Sequence, residues 1–313
     1  MKKFLFAAIF LSALLASCNY GLPIFMYWET GVEERAQNAA ELSGANLPQG
    51  ISGPRYSFIV ITDSHFGKKK PARAEEDFLK KFTALLQSPD PSLRPRFIVN
   101  LGDTLDGGHE DEAALFNATS ARWIAAAKNA LGVGDYKVYS ILGNHDLYNN
   151  GWEVWKKTVY PFTSFYKFTL NTSGSNGGAA AFPAENGGQN CGGFDFYFLD
   201  TGNGTLGGPQ LEDVERNLAA SARPKIVFMH YPIYVGGLLY FALDDAQERA
   251  RLIDRFARGN VKYVFEGHTH SSHDYDFGKF KEAVVGSYLE ERVFGLVTVD
   301  ETTGSVAFAR VEY

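Results

Sequence analysis

The chain is poor in cysteine, with only Cys18 and Cys191 in 313 residues. That excludes a disulfide framework. It also lacks a long apolar run: Phe4–Ala16 is shorter than the ~20 apolar residues a membrane-spanning helix needs. Basic charge is not in excess, since 30 Lys and Arg face 36 Asp and Glu, a formal charge of −6. An acidic chain without a basic stripe offers no electrostatic footprint for long nucleic acid. The one basic run, Lys68-Lys69-Lys70, reads as a solvated loop, with phosphate steering as the second reading. No internal repeat is visible. What is present is a globular composition: 45% hydrophobic residues, 21% charged, 25 Phe and 16 Tyr. Such a chain supports one large domain with a sizeable core and disfavours disorder.

The N-terminus pairs Lys2-Lys3 with the short apolar stretch, the layout of a secretory signal. Leu15-Ala16-Ser17-Cys18 then resembles the lipobox of bacterial lipoproteins. The resemblance implies a signal peptide over 1–18, cleavage before Cys18, and acylation of its sulfur and new amine. Several acyl chains anchor stably where one is marginal. The protein is therefore expected on a lipid anchor in the bacterial cell envelope, outside the cytoplasm. Asn19, standing where an aspartate would retain some lipoproteins at the inner membrane, points to the outer membrane. An ordinary cleaved signal with an incidental Cys18 is the plainer alternative. Cys191 reads as a sheltered small apolar residue rather than a nucleophile. Residues 19–54 read as a tether with a short helix near Glu33–Leu42, ended by Gly44 and followed by Pro48, Gly50, Gly53 and Pro54. If flexible, it would span about 35 Å. The apolar stretch Leu22–Trp28 leaves docking on the domain open.

From residue 55 strands and helices alternate. Strands are expected at Tyr56–Ile61, Arg96–Leu101, Lys137–Leu142, Lys225–Met229 and Val261–Phe265. Helices are expected at Ala74–Gln87, Glu110–Leu131, Trp152–Val159, Gln210–Ala220 and Asp244–Arg258. Two further β-like runs, Phe165–Leu170 and Phe194–Leu199, flank a Gly- and Asn-rich stretch at 171–193 that reads as a surface excursion or a lid. The tail reads as strands His273–Phe277, Lys281–Val285, Val293–Val299 and Ser305–Glu312. The pattern predicts an α/β fold: two packed mixed β-sheets flanked by helices, filling 55–313 as a single domain.

Five of these strand-like runs end in chemistry-bearing residues. Asp63-Ser64-His65 follows the first, Gly102-Asp103 the second and Gly143-Asn144-His145-Asp146 the third. His230 follows Lys225–Met229, and Gly267-His268-Thr269-His270 follows Val261–Phe265. Ligands in open α/β sheets gather beyond the carboxyl ends of strands. Carboxylate, amide and imidazole groups delivered to one edge read as a metal site. Taken singly, His230 reads as a core histidine, Asn144 as a turn residue, and His268 and His270 as polar turn residues. The joint occurrence changes the reading.

The ordered blocks D-x-H, G-D, G-N-H-[DE], H and G-H-x-H resemble the calcineurin-like metallophosphoesterase superfamily. The resemblance implies an αββα sandwich with two transition-metal ions, of manganese, iron or zinc. Asp63, His65 and His270 would hold the first ion, Asn144, His230 and His268 the second, and Asp103 would bridge both. It implies hydrolysis of phosphate esters by a metal-bridging hydroxide. Two divalent ions against Asp63, Asp103 and a hydroxide leave a formal charge of about +1, which favours an anionic phosphate ester. His145 would protonate the leaving oxygen or stabilise the transition state, with Asp106 orienting it as a dyad. A turn role before Gly107-Gly108 is the alternative for Asp106. His109 and His273 lie near the blocks without matching them.

Purple acid phosphatases carry tyrosine and glycine where Asp106 and His65 stand. Protein Ser/Thr phosphatases carry arginine and glutamate where Gly107 and Asp146 stand. The pattern is most similar to small bacterial phosphodiesterases and phosphomonoesterases. Expected partners are a small phosphate ester, with nucleotides among the candidates, and a membrane through Cys18, with no long nucleic acid and no protein partner predicted. Tyr231 and Tyr234 would stack on a base or pack in the core. Two other readings stand beside this one: a nuclease, and a non-catalytic anchored binding protein.

Overall fold

The computed structural model describes residues 30–69, 73–172, 192–237 and 241–313. The expected signal peptide, Cys18, the start of the expected tether, Cys191 and most of the 171–193 stretch lie outside the described residues.

Among the described residues the chain forms two sheets. The five-stranded sheet has the order β12-β11-β2-β3-β4, with β2 at Arg55–Ile61, β3 at Pro95–Asn100, β4 at Lys137–Ser140, β11 at Val293–Asp300 and β12 at Ser305–Glu312. The seven-stranded sheet runs β1-β5-β6-β7-β8-β10-β9. Its strands are β1 (Ala40–Glu41), β5 (Tyr166–Leu170), β6 (Phe194–Phe198), β7 (Lys225–Phe228), β8 (Val261–Glu266), β9 (His273–Asp276) and β10 (Lys281–Val284). Strands β2, β3 and β4 are mutually parallel, as are β6, β7, β8 and β10. Antiparallel pairings of β11, β12, β5 and β9, with β1 parallel to β5 at the edge, complete the mixed sheets.

The parallel strands are buried on both faces, which explains their near-continuous apolar sequences, such as Phe58 to Ile61 in β2. Phenylalanines fill the gap between the sheets: Phe58 stacks on Phe97 at 4.6 Å, and Phe228 on Phe198 at the same distance. The outer face of the five-stranded sheet is covered by α2 (Ala74–Leu86), α3 (Glu110–Leu131) and α4 (Trp152–Thr158). Phe78, Phe82, Trp123 and Trp155 are buried there. In α2 the buried positions Ala74, Phe78, Phe82 and Leu86 recur every four residues, one helical stripe. Helices α5 (Gly207–Asn217) and α6 (Ala246–Arg258) cover the other sheet through Leu211, Val214, Leu252 and Phe256. The fold is thus the αββα sandwich expected.

The N-terminal segment departs from expectation. The helix expected near Glu33–Leu42 is a single turn, α1 (Val32–Arg35), followed by β1 paired with the edge of β5. A short isolated helix is marginal. Here the main chain bonds the sheet edge instead, with Ala40 N–H donating to Phe165 O at 3.0 Å and Leu42 N–H to Lys167 O at 2.9 Å. The turn is clamped by Arg35, whose guanidinium makes two bonds of 3.0 and 2.9 Å to the Asp200 carboxylate, both side chains buried. Farther on, Tyr139 Oη donates to Asn46 O at 2.7 Å, and Leu47 and Ile51 rest on the inter-sheet core. From residue 32 the expected tether is therefore docked on the domain.

Candidate metal centre

The carboxyl ends of β2, β3 and β4 open on one edge of their sheet, and those of β7 and β8 on one edge of the other. The loops that leave these ends bond across the gap. His230 Nδ1 donates to Leu101 O at 2.8 Å, and His268 N–H donates to Asp63 Oδ2 at 3.1 Å. The β2 and β3 loops also keep pairing past their strands, with Asp63 N–H on Gly102 O at 3.1 Å and His65 N–H on Asp103 O at 2.9 Å. Asp63, His65, Asp103, His268 and His270 all adopt positive φ, between 39° and 69°. Non-glycine residues pay for that conformation and hold it where the surroundings over-determine it.

The structure brings all seven expected ligands together. Donor atoms of Asp63, His65, Asp103 and His270 lie within 4.8 Å of one another, and so do those of Asp103, His230 and His268. Asp103 belongs to both groups: Oδ1 is 3.5 Å from His230 Nε2 and Oδ2 is 3.8 Å from His65 Nε2. In the first group His65 Nε2 and His270 Nε2 are 3.0 Å apart, and His270 Nε2 is 3.4 Å from Asp63 Oδ1. In the second, Asn144 Oδ1 is 3.2 Å from His230 Nε2 and 3.0 Å from His268 Nδ1.

These residues fit a pair of metal ions. Asp63 Oδ1 is fully buried, faces the cluster and has no hydrogen-bond partner. Such an orphan is costly unless a cation or water meets it. Imidazole, carboxylate and amide donors together suit manganese, iron and zinc.

The electrostatics follow from burial and crowding. Burial alone would raise the Asp103 carboxyl, but His230, then His145 and His65, hold it far below the carboxylate range. Burial lowers His230, yet Asp103 lifts it to about 9. His268 is pushed down to about 3 by burial and by the neighbouring His230 charge. Asp146 is raised to about 7 by burial and by Asp103. Its carboxylate accepts from Leu105 N–H at 2.7 Å and Gly143 N–H at 2.9 Å, so it staples the Asp103 loop to the Asn144 loop.

His145 sits at the rim of the cluster. Its N–H donates to Asp103 Oδ1 at 2.8 Å, and its ring meets His65 edge-on at 4.5 Å. The expected dyad takes a different form. His145 Nδ1 donates to the backbone oxygen of Asp106 at 2.8 Å. The Asp106 carboxylate lies farther from it, at 3.6 Å, and nearer His65 Nδ1 at 3.2 Å and Lys68 Nζ at 3.3 Å. Asp106 thus holds His145 through its main chain and backs the His65 ring with its side chain. Burial lowers the His145 imidazole, partly offset by the Asp103 charge. Lys68 is an ion-pair partner rather than a purely solvated lysine.

Three contributors have no signal in the sequence blocks. Tyr148 Oη accepts from Asn144 Nδ2 at 3.1 Å, which turns the amide oxygen toward His230 and His268. Ser287 Oγ donates to Asp63 O at 3.1 Å. Glu290 Oε2 lies 3.1 Å from His270 Nδ1. Tyr231 stacks on His268 at 3.9 Å, and Tyr234 packs on Tyr275 at 4.3 Å. His109 stands at the start of α3, with Nε2 3.4 Å from Asn149 Nδ2, and His273 lies on β9; neither joins the centre.

A family model for calcineurin-like phosphoesterases matches residues 56–272. No curated protein matches the chain by sequence. Among solved structures, a dimetal phosphatase from Danio rerio is similar over 82% of this chain and 99% of its own, at 11% identity and a TM-score of 0.52. The purple acid phosphatase PPD1 from yellow lupin (Lupinus luteus) is similar over 84% of this chain and 52% of its own, at 13% identity and a TM-score of 0.55. GAP50, described as the anchor in the inner membrane complex of Plasmodium, is similar over 82% and 89%, at 15% identity and a TM-score of 0.52. At such identities these three share the fold.

Proposed function

The chain belongs to the calcineurin-like phosphoesterase family and is a metallophosphoesterase, and from that premise we propose that it hydrolyses small phosphate mono- or diesters with two transition-metal ions. Asp63, His65 and His270 would hold the first, Asn144, His230 and His268 the second, and Asp103 both. The observation that carries this is the Asp103 carboxylate, which faces one donor group with each oxygen. Manganese, iron or zinc bound there would supply Lewis acidity toward phosphoryl oxygens and acidify water toward neutrality.

The protein's own contributions are positional. The two carboxylates among the donors leave the loaded centre with net positive charge, which draws an anionic ester. His145, hinged at Nδ1 by the Asp106 carbonyl, would turn Nε2 to the ester, and in its imidazolium form would donate that proton to the leaving oxygen. His145→Ala is expected to lower kcat by about 10²- to 10⁴-fold and to retain two ions, as read by elemental analysis. Full turnover in that variant would remove His145 from the chemistry.

The acidic balance of the chain supports a small substrate over long nucleic acid. A donor set complete at both positions, with Asp63, His65, Asp103 and His230 buried, supports catalysis over a binding role alone. The function is tested on the chain from Asn19 onward with an aryl phosphomonoester and its bis-ester, in the presence of manganese, zinc or iron. Turnover supports the reading, and the preferred ester selects the substrate class. A chain that binds no metal and turns over neither ester sinks it.

The lipobox reading of Leu15 to Cys18 puts this reaction outside the cytoplasm on a lipid anchor. Cys18→Ser is expected to move the protein from the membrane to the soluble fraction and to abolish incorporation of labelled fatty acid. Unchanged membrane partition would leave Cys18 incidental.

A further inference from the structure

We propose that Glu290 is a positioning residue for His270 and sets the affinity of the first metal position; this rests on the two-ion reading above. Glu290 lies between β10 and β11, past the residues matched by the family model. Its carboxylate meets His270 Nδ1 at 3.1 Å, while Nε2 of the same ring points at Asp63 Oδ1 and His65 Nε2, at 3.4 and 3.0 Å. The imidazole is held with a carboxylate behind it and the donor cluster in front.

The Glu290 side chain is exposed, but its backbone is fixed. Ser287 Oγ accepts from the N–H groups of Leu289 and Glu290, both at 3.1 Å, and donates to Asp63 O at 3.1 Å. Ser287 N–H donates to His270 O at 3.3 Å, and Tyr288 N–H to Thr62 O at 2.9 Å. One serine therefore ties the Asp63 loop, the His270 loop and the start of Glu290 together.

Among the described residues, His230 and Asn144 of the second position lack this arrangement. His65 and His270 both back onto carboxylates, Asp106 and Glu290. His230 backs onto the neutral Leu101 carbonyl, and Asn144 onto the Tyr148 hydroxyl. A carboxylate behind an imidazole fixes its tautomer and raises the basicity of the ligating nitrogen. Glu290 therefore acts on the first position and not on the second.

The test is calorimetric titration of the full chain, purified in detergent and stripped by chelation, with Mn²⁺. A His230→Gln background removes a second-position donor and isolates the first. In it, Glu290→Ala is expected to raise Kd about 10- to 100-fold, with Glu290→Gln, which keeps an acceptor and loses the charge, in between. In the otherwise native chain one binding step should weaken and the other stay within about twofold. The metal-free melting temperature should not move, which separates positioning from folding. An unchanged Kd in Glu290→Ala, or equal weakening of both steps, overturns the inference while two-ion binding by the native chain leaves the phosphoesterase reading standing. A native chain that takes up no Mn²⁺ removes both.

Discussion

The Asp103→Asn protein is expected to lose at least about 10³-fold in kcat/KM, or ~4 kcal/mol of transition-state stabilisation, and to retain fewer than two ions. The substitution keeps the shape of the side chain. One oxygen still accepts from His145 N–H, a bond of 2.8 Å in the native chain. The other oxygen, 3.8 Å from His65 Nε2, becomes an N–H₂ group or exchanges places with one. Either way a donor replaces a lone pair at one position, and the negative charge shared by both positions is gone. Elemental analysis after dialysis, run beside turnover, reads the two effects separately. Two ions retained with turnover within tenfold of native would mean that Asp103 is not the shared ligand.

The same variant carries a signed pH prediction for the metal-free protein. His230 stands at about 9 when folded because Asp103 faces it, against about 6.5 unfolded. A folded value above the unfolded one gives stability that is complete below pH ~6.5 and is lost as pH rises through about 9. Native metal-free protein should therefore melt at falling temperature across that window. Asp103→Asn should flatten the curve there, because the imidazole has lost its counter-charge. The proton on His230 also competes with an ion for Nε2, so native metal affinity should climb over the same pH window. A native melting curve flat from pH 6.5 to 9 would sink this account of the His230–Asp103 pair.

Much of this architecture can be read from residue order. Helix α3 spans Glu110–Leu131 as its pattern predicts, and β12 spans Ser305–Glu312, because long periodic segments bury one face whatever surrounds them. The donor residues are legible because each follows a strand and parallel strands share an open edge. The supporting shell is not. Whether the Asp106 carboxylate meets His145 or His65 turns on differences of a few tenths of an ångström between loops about forty residues apart. Glu290 and Tyr148 belong to no recurring pattern, and the role of Glu290 exists only once the connection between β10 and β11 brings Ser287 under Asp63. Strand β1 and the Arg35–Asp200 clamp are likewise tertiary, since two residues of strand have no period to detect. Local signals report what a segment prefers, and these features report what it touches.

Gly143→Ala is expected to be nearly as damaging as loss of a ligand, although it removes no donor atom. Gly143 does not have positive φ, so the turn itself would accept alanine. Space decides instead. A Cβ there would lie 2.2 Å from Asp103 Oδ1, 2.3 Å from Asp103 N and 2.8 Å from His230 Cε1. Two of these atoms belong to Asp103 and the third to its partner His230, so relief requires moving the shared carboxylate or its backbone. A misplacement of about 1 Å costs on the order of 10² in rate, and forced overpacking adds about 1–3 kcal/mol of destabilisation. The glycines before Asp103 and His268 are under the same pressure. A Cβ on Gly102 would meet Gly143 N at 2.4 Å, and one on Gly267 would meet Thr62 Oγ1 at 2.0 Å. The glycines of the G-D, G-N-H-D and G-H-x-H blocks are thus where strand ends from two sheets come too close for any side chain, which is what lets donors from five loops reach one centre. Gly53→Ala, with no atom within 4 Å of the new Cβ, is the control and should leave metal content, turnover and melting temperature unchanged. If Gly143→Ala also kept two ions and turned over within about threefold of native, the crowding would be relieved by motions too small to matter. The glycine would then have to be explained by the path of the chain rather than by the room it leaves.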